Sequence, residues 1–581
     1  MITPSTRNGT ACKNTPANTV PAVASRGLSA TPSRIQVPTS AHTTNPATKT
    51  SVEVTRRRRG AVTVIALNRA TRTCVHADAA NLGAVEHRYL VAARVAAVVV
   101  AVAGCSHPAK SGQPDTPTTP AAQFADGLRK QVSTDAMYAH LQKLQDIANA
   151  NNGTRAVGTP GFDASVDYVA GVLRAKGFDV QTPEFQARVF ESGKPDLRVG
   201  GTGVTARAME FSLGTPPEGV SGPLVAAPAE ETPGCAPEDY DGLPVKGAVV
   251  LVDRGSCPFK DKQAIAAKLG AVALVVADNV DGQMMGATLG EDTDVKLPVV
   301  GVTKADGAAL RANPGATTLK LEANTKNVSA RNVIAQTKTG SASDVVMVGA
   351  HLDSVPEGPG INDNGSGVAA VLETAVQLGP NPDVKNAVRF AFWGAEELGT
   401  IGSKKYIESL NVDQLTDIAL YLNYDMIGSP NPGYFTYDGD QSTAPGPGGR
   451  IPRVPEGSAG IERTLVAYLK TAGKTAQDTS FDGRSDYDAF TQAGVPSGGL
   501  FSGAEENKTA DQQKLWGGTA DAPFDPNYHK NTDTLDHIDK TALGILGGGV
   551  VFSVGLYAQD MDGRNGIPLR DDRTRHLITG P

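Results

Sequence analysis

Five short segments between residues 351 and 529 carry side chains that could bind cations and move protons. Apolar runs at residues 345–349, 387–393 and 418–422 precede three of these segments. We interpret the runs as strands of an open α/β sheet, in which ligands collect outside the carboxyl ends of parallel strands. Imidazole and carboxylate are ligands that Zn²⁺ prefers. The candidate groups are His351 and Asp353, Asp363 in the loop 362–367, Glu396 and Glu397, Asp425, and Tyr528 and His529.

Asp363 has the position of a carboxylate that could join two cations. Two cations a few ångströms apart need an anion between them, because their repulsion would otherwise empty one site. The loop around Asp363 reads Asn-Asp-Asn-Gly-Ser-Gly, and glycine allows close backbone approach. Each segment alone has an ordinary explanation, since Glu-Glu is commonly solvated helix surface and Asp-Asn-Gly is commonly a turn. Their order and their places at strand ends argue against coincidence.

The segments resemble, in order and spacing, the co-catalytic di-zinc exopeptidases of peptidase family M28, among them secreted bacterial leucine-type aminopeptidases. The resemblance implies two Zn²⁺ per chain, with Asp363 as the bridge. His351 and Asp425 would complete one metal site, and Glu397 and His529 the other.

The same resemblance assigns roles in catalysis. It gives Glu396 to the attacking water as general base and then general acid. Tyr528 would hydrogen-bond the developing oxyanion, and Asp353 would orient the ligand imidazole. Glu396 and Asp425 would also help to hold the free α-amine of a substrate.

A sixth segment, residues 480–487, resembles the family stretch that lines the specificity pocket. It implies that Gly483 and Arg484 line the pocket, that Phe501 is its aromatic residue and that Met426 borders it. A surface ion pair with a neighbouring aspartate remains the alternative for Arg484.

Composition restricts the class of protein. A chain of 581 residues with 40 % hydrophobic residues can form two or three domains with sizeable cores. Its net charge of −7 and the lack of a basic stripe in the part expected to fold argue against nucleic-acid binding. The 64 Gly, 38 Pro and 5 % aromatic residues indicate a loop-rich secreted α/β protein.

The N-terminal region has a different composition. Residues 1–87 are rich in small and polar residues and predict a disordered extension, which we attribute to a start codon assigned too far upstream. Residues 88–104 predict a signal peptide, since their apolar core is too short to span a bilayer.

The Val-Ala-Gly-Cys sequence ending at Cys105 resembles a bacterial lipobox. That resemblance implies lipidation of Cys105 and a place on the outer face of the cell membrane, with residues 105–128 as a tether. A secreted protein or a short buried helix are the alternatives.

Two cysteines, Cys235 and Cys257, lie within the region expected to fold. Their surroundings resemble a protease-associated domain, which implies a disulfide and an insert at residues 205–320 that gates substrate access. A pair of free thiols is the alternative. The insert would divide the peptidase domain into residues 129–204 and 321–565, followed by a tail at 566–581. Before the insert, residues 164–176 predict a helix capped by glycine.

The resemblance covers residues 130 to 565 and implies a zinc-exopeptidase (phosphorylase/hydrolase-like) fold. This is an α/β fold with a mixed, mostly parallel central sheet flanked by helices. The implied function is hydrolysis of N-terminal residues from peptides with a free N-terminus, by water activated between two metals. A glutaminyl-cyclase-like or carboxypeptidase relative on the same fold, or an inactive binding protein, are the other classes considered.

Overall fold

The computed structural model describes residues 52–56, 62–66, 119–229, 233–255, 257–281, 287–291, 293–443, 454–561 and 566–578. The chain divides into two compact units, Met1–Ser111 and Gly112–Pro581. The predicted signal peptide and Cys105 lie outside the described residues. In the first unit, strands β1 (Val52–Arg56) and β2 (Val62–Ala66) pair in antiparallel fashion. These ten residues depart from the predicted disorder, because their Val and Thr favour strands.

The second unit contains every other α-helix and β-strand that the structure describes. Its helices are α1 (Pro120–Arg129), α2 (Thr134–Ala150), α3 (Pro160–Ala175), α4 (Phe259–Lys268), α5 (Lys304–Ala312), α6 (Gly367–Leu378), α7 (Ile401–Glu408), α8 (Val412–Asp417), α9 (Ser458–Thr471), α10 (Tyr487–Gln492), α11 (Ala510–Trp516) and α12 (Lys540–Gln559). Its strands are β3 (Val180–Gln181), β4 (Glu184–Ser192), β5 (Asp196–Val199), β6 (Thr202–Val204), β7 (Arg207–Ala208), β8 (Val220–Ala226), β9 (Val249–Asp253), β10 (Ala273–Ala277), β11 (Val299–Val302), β12 (Ala316–Lys320), β13 (Ala323–Arg331), β14 (Val333–Gln336), β15 (Ser341–His351), β16 (Asn386–Trp393), β17 (Ile418–Tyr424), β18 (Phe435–Tyr437), β19 (Gln477–Thr479) and β20 (Ser497–Phe501).

The larger domain is built on a sheet of order β19-β18-β20-β17-β15-β16-β14-β3. Its four central strands are parallel, whereas β14 joins β16 and β18 joins β20 in antiparallel fashion. Along β15, Val346 and Val348 face one buried cluster and Met347 faces the other. Apolar residues on both faces are expected of a central parallel strand covered by helices. The structure therefore confirms the predicted mixed, mostly parallel sheet.

Helix α12 is buried in the centre of this domain. It packs against α1, α6 and α9, and Val550 and Val554 are fully buried. The helix is long and apolar enough to cross a membrane, but 67 % of its apolar window is buried in the protein. We therefore regard it as a core helix.

The insert forms a second sheet of order β6-β5-β12-β8-β9-β10-β11-β7, with β8 to β11 parallel. An antiparallel ribbon of β4 and β13 leads into it and out of it. The insert's sheet begins at Asp196, so the predicted start at 205 is too late. Leu197 and Val199 alternate with exposed residues and fill its core, a short pattern that the sequence interpretation overlooked. The predicted disulfide joins Cys235 and Cys257.

Parts of the segments predicted as a tether and as a C-terminal tail pack against the domain. The predicted tether 105–128 is wrong at its end, because α1 begins at Pro120, is capped by Thr119 and buries Ala125 and Leu128. In the described part of the C-terminal tail, the side chain of Arg573 is buried and donates hydrogen bonds to main-chain carbonyls of β15 and α8. Pairing of a buried guanidinium with carbonyls fixes the tail in place.

Candidate active site

Three neighbouring parallel strands deliver polar side chains to one edge of the sheet. Strand β15 ends at His351, β16 ends three residues before Glu396, and β17 ends immediately before Asp425. In the sheet, β15 lies between β16 and β17. The carboxyl ends of the strands therefore bring these groups together as the sequence interpretation expected.

One group of potential metal ligands surrounds His351. Its Nε2 atom lies 3.2 Å from Oδ1 of Asp363 and 3.3 Å from Oδ1 of Asp425. All three residues are buried. Asp363 lies in the irregular turn Ile361–Ser366 that precedes α6.

A second group surrounds His529, in the segment between α11 and α12. Its Nε2 atom lies 3.0 Å from Oε2 of Glu397 and 3.2 Å from Oδ2 of Asp363. Asp363 thus turns one carboxylate oxygen toward each imidazole. The side chain of His529 is 40 % exposed, so this group faces the solvent side of the site.

The donor atoms fit zinc. Tetrahedral Zn²⁺ with nitrogen and oxygen ligands at about 2.0–2.2 Å places neighbouring ligand atoms roughly 3.3–3.5 Å apart. The separations of 3.0–3.3 Å in both groups are close to this spacing. In addition, Oδ1 of Asp425 and Oε1 of Glu397 are buried and have no hydrogen-bond partner. Buried polar atoms normally have a partner, and a cation would supply one here.

The pKa values of the donor groups also indicate that the site favours bound positive charge. Burial opposes protonation of His529, but its contacts with Asp363 and Glu397 raise its pKa to about 11. Burial and the neighbouring Asp363 raise the pKa of Glu397 to about 7. Burial similarly raises the pKa of Glu396 well above its usual value, despite the nearby His351. Either protons or metal ions can therefore neutralise the negative charge of the clustered carboxylates.

A small cavity of about 80 Å³ opens from the donor cluster. Of the predicted pocket residues, Met426, Arg484 and Phe501 line it, together with Tyr528. The side chain of Arg484 donates hydrogen bonds to Glu505 and Tyr528, which departs from the surface ion pair with a neighbouring aspartate considered above.

A larger cleft of about 890 Å³ meets the site from the other side. Residues of the insert, including Glu210 and Asp261, line this cleft, and so does Gly483, which does not line the small cavity. Glu396 and His529 border both spaces, so a molecule at the donor cluster can extend in two directions.

Comparison with known proteins identifies the family. The model of Peptidase family M28 matches residues 332–552, and that of the PA domain matches residues 220–310. A Mycobacterium tuberculosis protein named "Probable lipoprotein aminopeptidase LpqL" is 69 % identical over 496 residues, covering 85 % of this chain and 99 % of that protein. The chain belongs to peptidase family M28.

Solved structures agree with this assignment to family M28. The aminopeptidase from Aneurinibacillus sp. strain AM-1 superposes with a TM-score of 0.62 at 28 % identity, covering 75 % of this chain and 96 % of that one. A zinc aminopeptidase from Bacillus subtilis has a TM-score of 0.56 at 26 % identity, covering 75 % and 98 %. This M28 member is a zinc-dependent aminopeptidase with a PA domain, and the cyclase, carboxypeptidase and binding-protein alternatives are not favoured.

Asp353 lies beside His351, but its contacts differ from the predicted ones. The main-chain oxygen of Asp353 is 3.1 Å from Nδ1 of His351, whereas its nearest carboxylate oxygen is 3.8 Å away. The carboxylate instead accepts hydrogen bonds from the main-chain N–H groups of Glu396 and Glu397. Asp353 thus orients the imidazole through its carbonyl and fixes the Glu-Glu turn through its side chain.

Several buried residues that support the M28 site were missed in the sequence. Asp533 accepts hydrogen bonds from the main-chain N–H groups of Asn362 and Asp363, at 2.8 Å and 3.0 Å. Ser485 donates to Oδ2 of Asp425 at 2.6 Å, leaving Oδ1 toward His351. The place of Asp533 four residues after His529 was the available signal.

Arg155 is the most extensively bonded of the missed residues. Its buried guanidinium donates to the main-chain oxygens of Leu352, Pro359 and Gly360. Burial lowers its pKa to about 10, against the influence of Asp353. Arg155 therefore ties the segment after β15 to the loop that carries Asp363.

Proposed function

We propose that this aminopeptidase uses two zinc ions, one held by His351 and Asp425, the other by Glu397 and His529, with Asp363 between them. The supporting observation is that the two oxygens of Asp363 each lie 3.2 Å from a different imidazole nitrogen. Bound zinc supplies Lewis acidity and lowers the pKa of water.

Glu396 is the proposed general base and acid. It is buried at the donor cluster, and its Oε2 atom is 3.8 Å from His351, farther than the atoms of either ligand group. Burial raises its pKa well above the usual value, which suits a carboxylate that must hold a proton between two steps. Glu396 would take a proton from the attacking water and deliver it to the departing amine.

Tyr528 is the proposed donor to the oxyanion. Its hydroxyl accepts a hydrogen bond from Nη2 of Arg484 at 3.2 Å and borders the small cavity. Burial raises the pKa of Tyr528, so the phenol keeps its proton. A phenol O–H held in this position can stabilise negative charge on the scissile carbonyl oxygen as it develops.

The substrates proposed are peptides with a free N-terminus. Glu396 and Asp425 place carboxylates where an α-ammonium would lie, and charge-assisted contacts of this kind contribute about 1.5–3 kcal/mol each. We therefore expect cleavage of leucine amide and no cleavage of N-acetyl-leucine amide or of an N-blocked peptide with a free C-terminus. Release of free amino acid is measured for all three substrates.

The same assay includes a chelator and subsequent addition of Zn²⁺. Activity on leucine amide should disappear with the chelator and return with zinc. Efficient cleavage of either N-blocked substrate would rule out recognition of the free amine. Full activity in the presence of the chelator would rule out a requirement for bound metal.

We further propose that the protein is exported and anchored through lipid on Cys105. The supporting observations are the lipobox-like sequence ending at Cys105 and the name of the 69 % identical relative, a lipoprotein aminopeptidase. Two or more acyl chains give stable membrane attachment, whereas one is marginal.

Replacement of the proposed lipidation site tests this anchor. Cys105→Ala should move the enzyme from the membrane fraction to the soluble fraction, and the adjacent control Ser106→Ala should leave it on the membrane. Fractions are compared by immunoblot and by leucine amide hydrolysis. Equal membrane association of Cys105→Ala and wild type would place the anchor elsewhere.

A further inference from the structure

The small cavity has an uneven distribution of charge along one side. Nη2 of Arg484 lies 2.9 Å from Oε1 of Glu505, while Nη1 lies 3.6 Å from Oε1 of Glu506. One guanidinium therefore faces two carboxylates and is closer to Glu505. Glu506 lines the cavity, whereas Glu505 does not.

Asp482 adds a third carboxylate to the same side of the cavity. Its Oδ1 atom accepts hydrogen bonds from the main-chain N–H of Arg484 and from the hydroxyl of Tyr487, so the side chain is held beside the opening. Against three carboxylates stands a single guanidinium among the residues described here. This part of the cavity thus has an excess of negative charge.

Apolar side chains form part of the cavity's wall. Met426 and Phe501 line it together with the ring of Tyr487, and all three side chains lie close to the donor cluster that would hold the scissile bond. A long aliphatic stem can pack along such walls while a charged end reaches a polar rim. The side chain of Glu506 is 58 % exposed, so it lies at such a rim.

The environment of Glu506 indicates that its charge is poorly compensated. Partial burial and the neighbouring Glu505 raise its pKa, and Arg484 opposes this only in part. A cation supplied by the substrate would relieve the same repulsion. An anionic substrate side chain would meet Asp482 and Glu506 instead.

We propose that Glu506 is a specificity-determining residue that adapts the cavity to N-terminal lysine and arginine in addition to apolar residues. The substrate's stem would lie against Met426 and Phe501, and its cationic end would pair with Glu506. This inference rests on the proposed function, because it takes the small cavity to be the site of the N-terminal side chain.

Charge-neutral replacement of Glu506 tests the inference. The probes are lysyl-, leucyl- and glutamyl-p-nitroanilide, and kcat/KM is measured for each. Wild type should cleave the lysyl and leucyl probes well and the glutamyl probe poorly. Glu506→Gln should lower kcat/KM for the lysyl probe by about three- to fivefold, the range of a partly exposed ion pair, and leave the leucyl value nearly unchanged.

A matched control and a salt titration separate this effect from general damage. Glu191→Gln removes the same charge from a side chain that is 55 % exposed, is paired with Lys326 and does not line the cavity, so it should change neither value. In wild type, high salt should reduce the preference for the lysyl probe relative to the leucyl probe, because salt screens exposed charges. In Glu506→Gln the ratio should respond less to salt than in wild type, because only the carboxylate of Asp482 then remains in this part of the lining.

The outcomes distinguish this inference from the proposed function. If the leucyl probe is cleaved in a zinc-dependent manner but the lysyl-to-leucyl ratio of Glu506→Gln equals that of wild type, the inference is wrong and the proposed function stands. If wild type cleaves no probe with a free amine, the proposed function fails and the inference with it.

Discussion

Replacement of Glu396 by glutamine should lower kcat by about 10²- to 10⁴-fold, the usual contribution of general acid–base catalysis, and leave the zinc content unchanged. The physical reason is that glutamine has nearly the same shape but cannot take a proton from water. Glu396 is not needed to complete either ligand group. Its carboxylate lies 3.8 Å from His351, whereas Asp363 lies 3.2 Å from His351 and Glu397 lies 3.0 Å from His529.

The measurement combines steady-state kinetics on leucine amide with metal analysis by mass spectrometry. Glu373→Gln is the control, because Glu373 is also a buried glutamate and belongs to neither group of potential metal ligands among the described residues. It should retain both turnover and zinc. Loss of zinc in Glu396→Gln, or turnover close to that of wild type, would contradict the assignment of Glu396 as the base.

The proximity of His351, Glu396 and Asp425 could be predicted because these residues lie at or just after the ends of neighbouring parallel strands. Hydrophobic runs in the sequence locate β15, β16 and β17. The carboxyl ends of neighbouring parallel strands lie at the same edge of a sheet, so residues at these ends come close together. The supporting residues carry no such local signal. Arg155 lies some 200 positions from the carbonyls that it binds, and this distance is closed only by tertiary packing.

The contacts of Asp353 show a second limit of sequence interpretation. A carboxylate two residues after a ligand histidine predicts the right neighbourhood, but not which of its oxygen atoms faces the ring. In the structure the main-chain oxygen of Asp353 contacts the imidazole of His351, and the carboxylate of Asp353 accepts hydrogen bonds from two main-chain N–H groups. Both arrangements satisfy the same hydrogen-bonding demand, so only the backbone path decides between them.

Boundaries of elements were predicted less well than the elements themselves. The helix expected at residues 164–176 is α3, which begins four residues earlier, at Pro160. Thr159 caps it and proline occupies its first turn, a start signal that the periodic apolar residues did not include. The early start of the insert at Asp196 has a similar cause, since β5 is only four residues long.

Replacement of Asp363 by asparagine should reduce bound zinc from two ions to at most one and remove nearly all activity. An asparagine offers one oxygen and no negative charge, so it could not bind both proposed cations as the two oxygens of Asp363 would. We expect kcat/KM to fall by more than the ~10–100-fold that follows loss of an outer-shell partner of a metal ligand. Zinc per chain and leucine amide hydrolysis are measured on wild type and variant equilibrated with the same concentration of free Zn²⁺.

Asp425→Asn provides the matched comparison, because Asp425 belongs to one ligand group only. It should weaken the site at His351 and leave the site of Glu397 and His529 able to hold zinc. A bridging carboxylate therefore predicts a larger loss of zinc in Asp363→Asn than in Asp425→Asn. If Asp363→Asn retains two tightly bound ions, the bridge must be another group. If the two variants lose zinc equally, Asp363 serves a single site, and the position of its two oxygens between two imidazoles does not reflect a shared ligand.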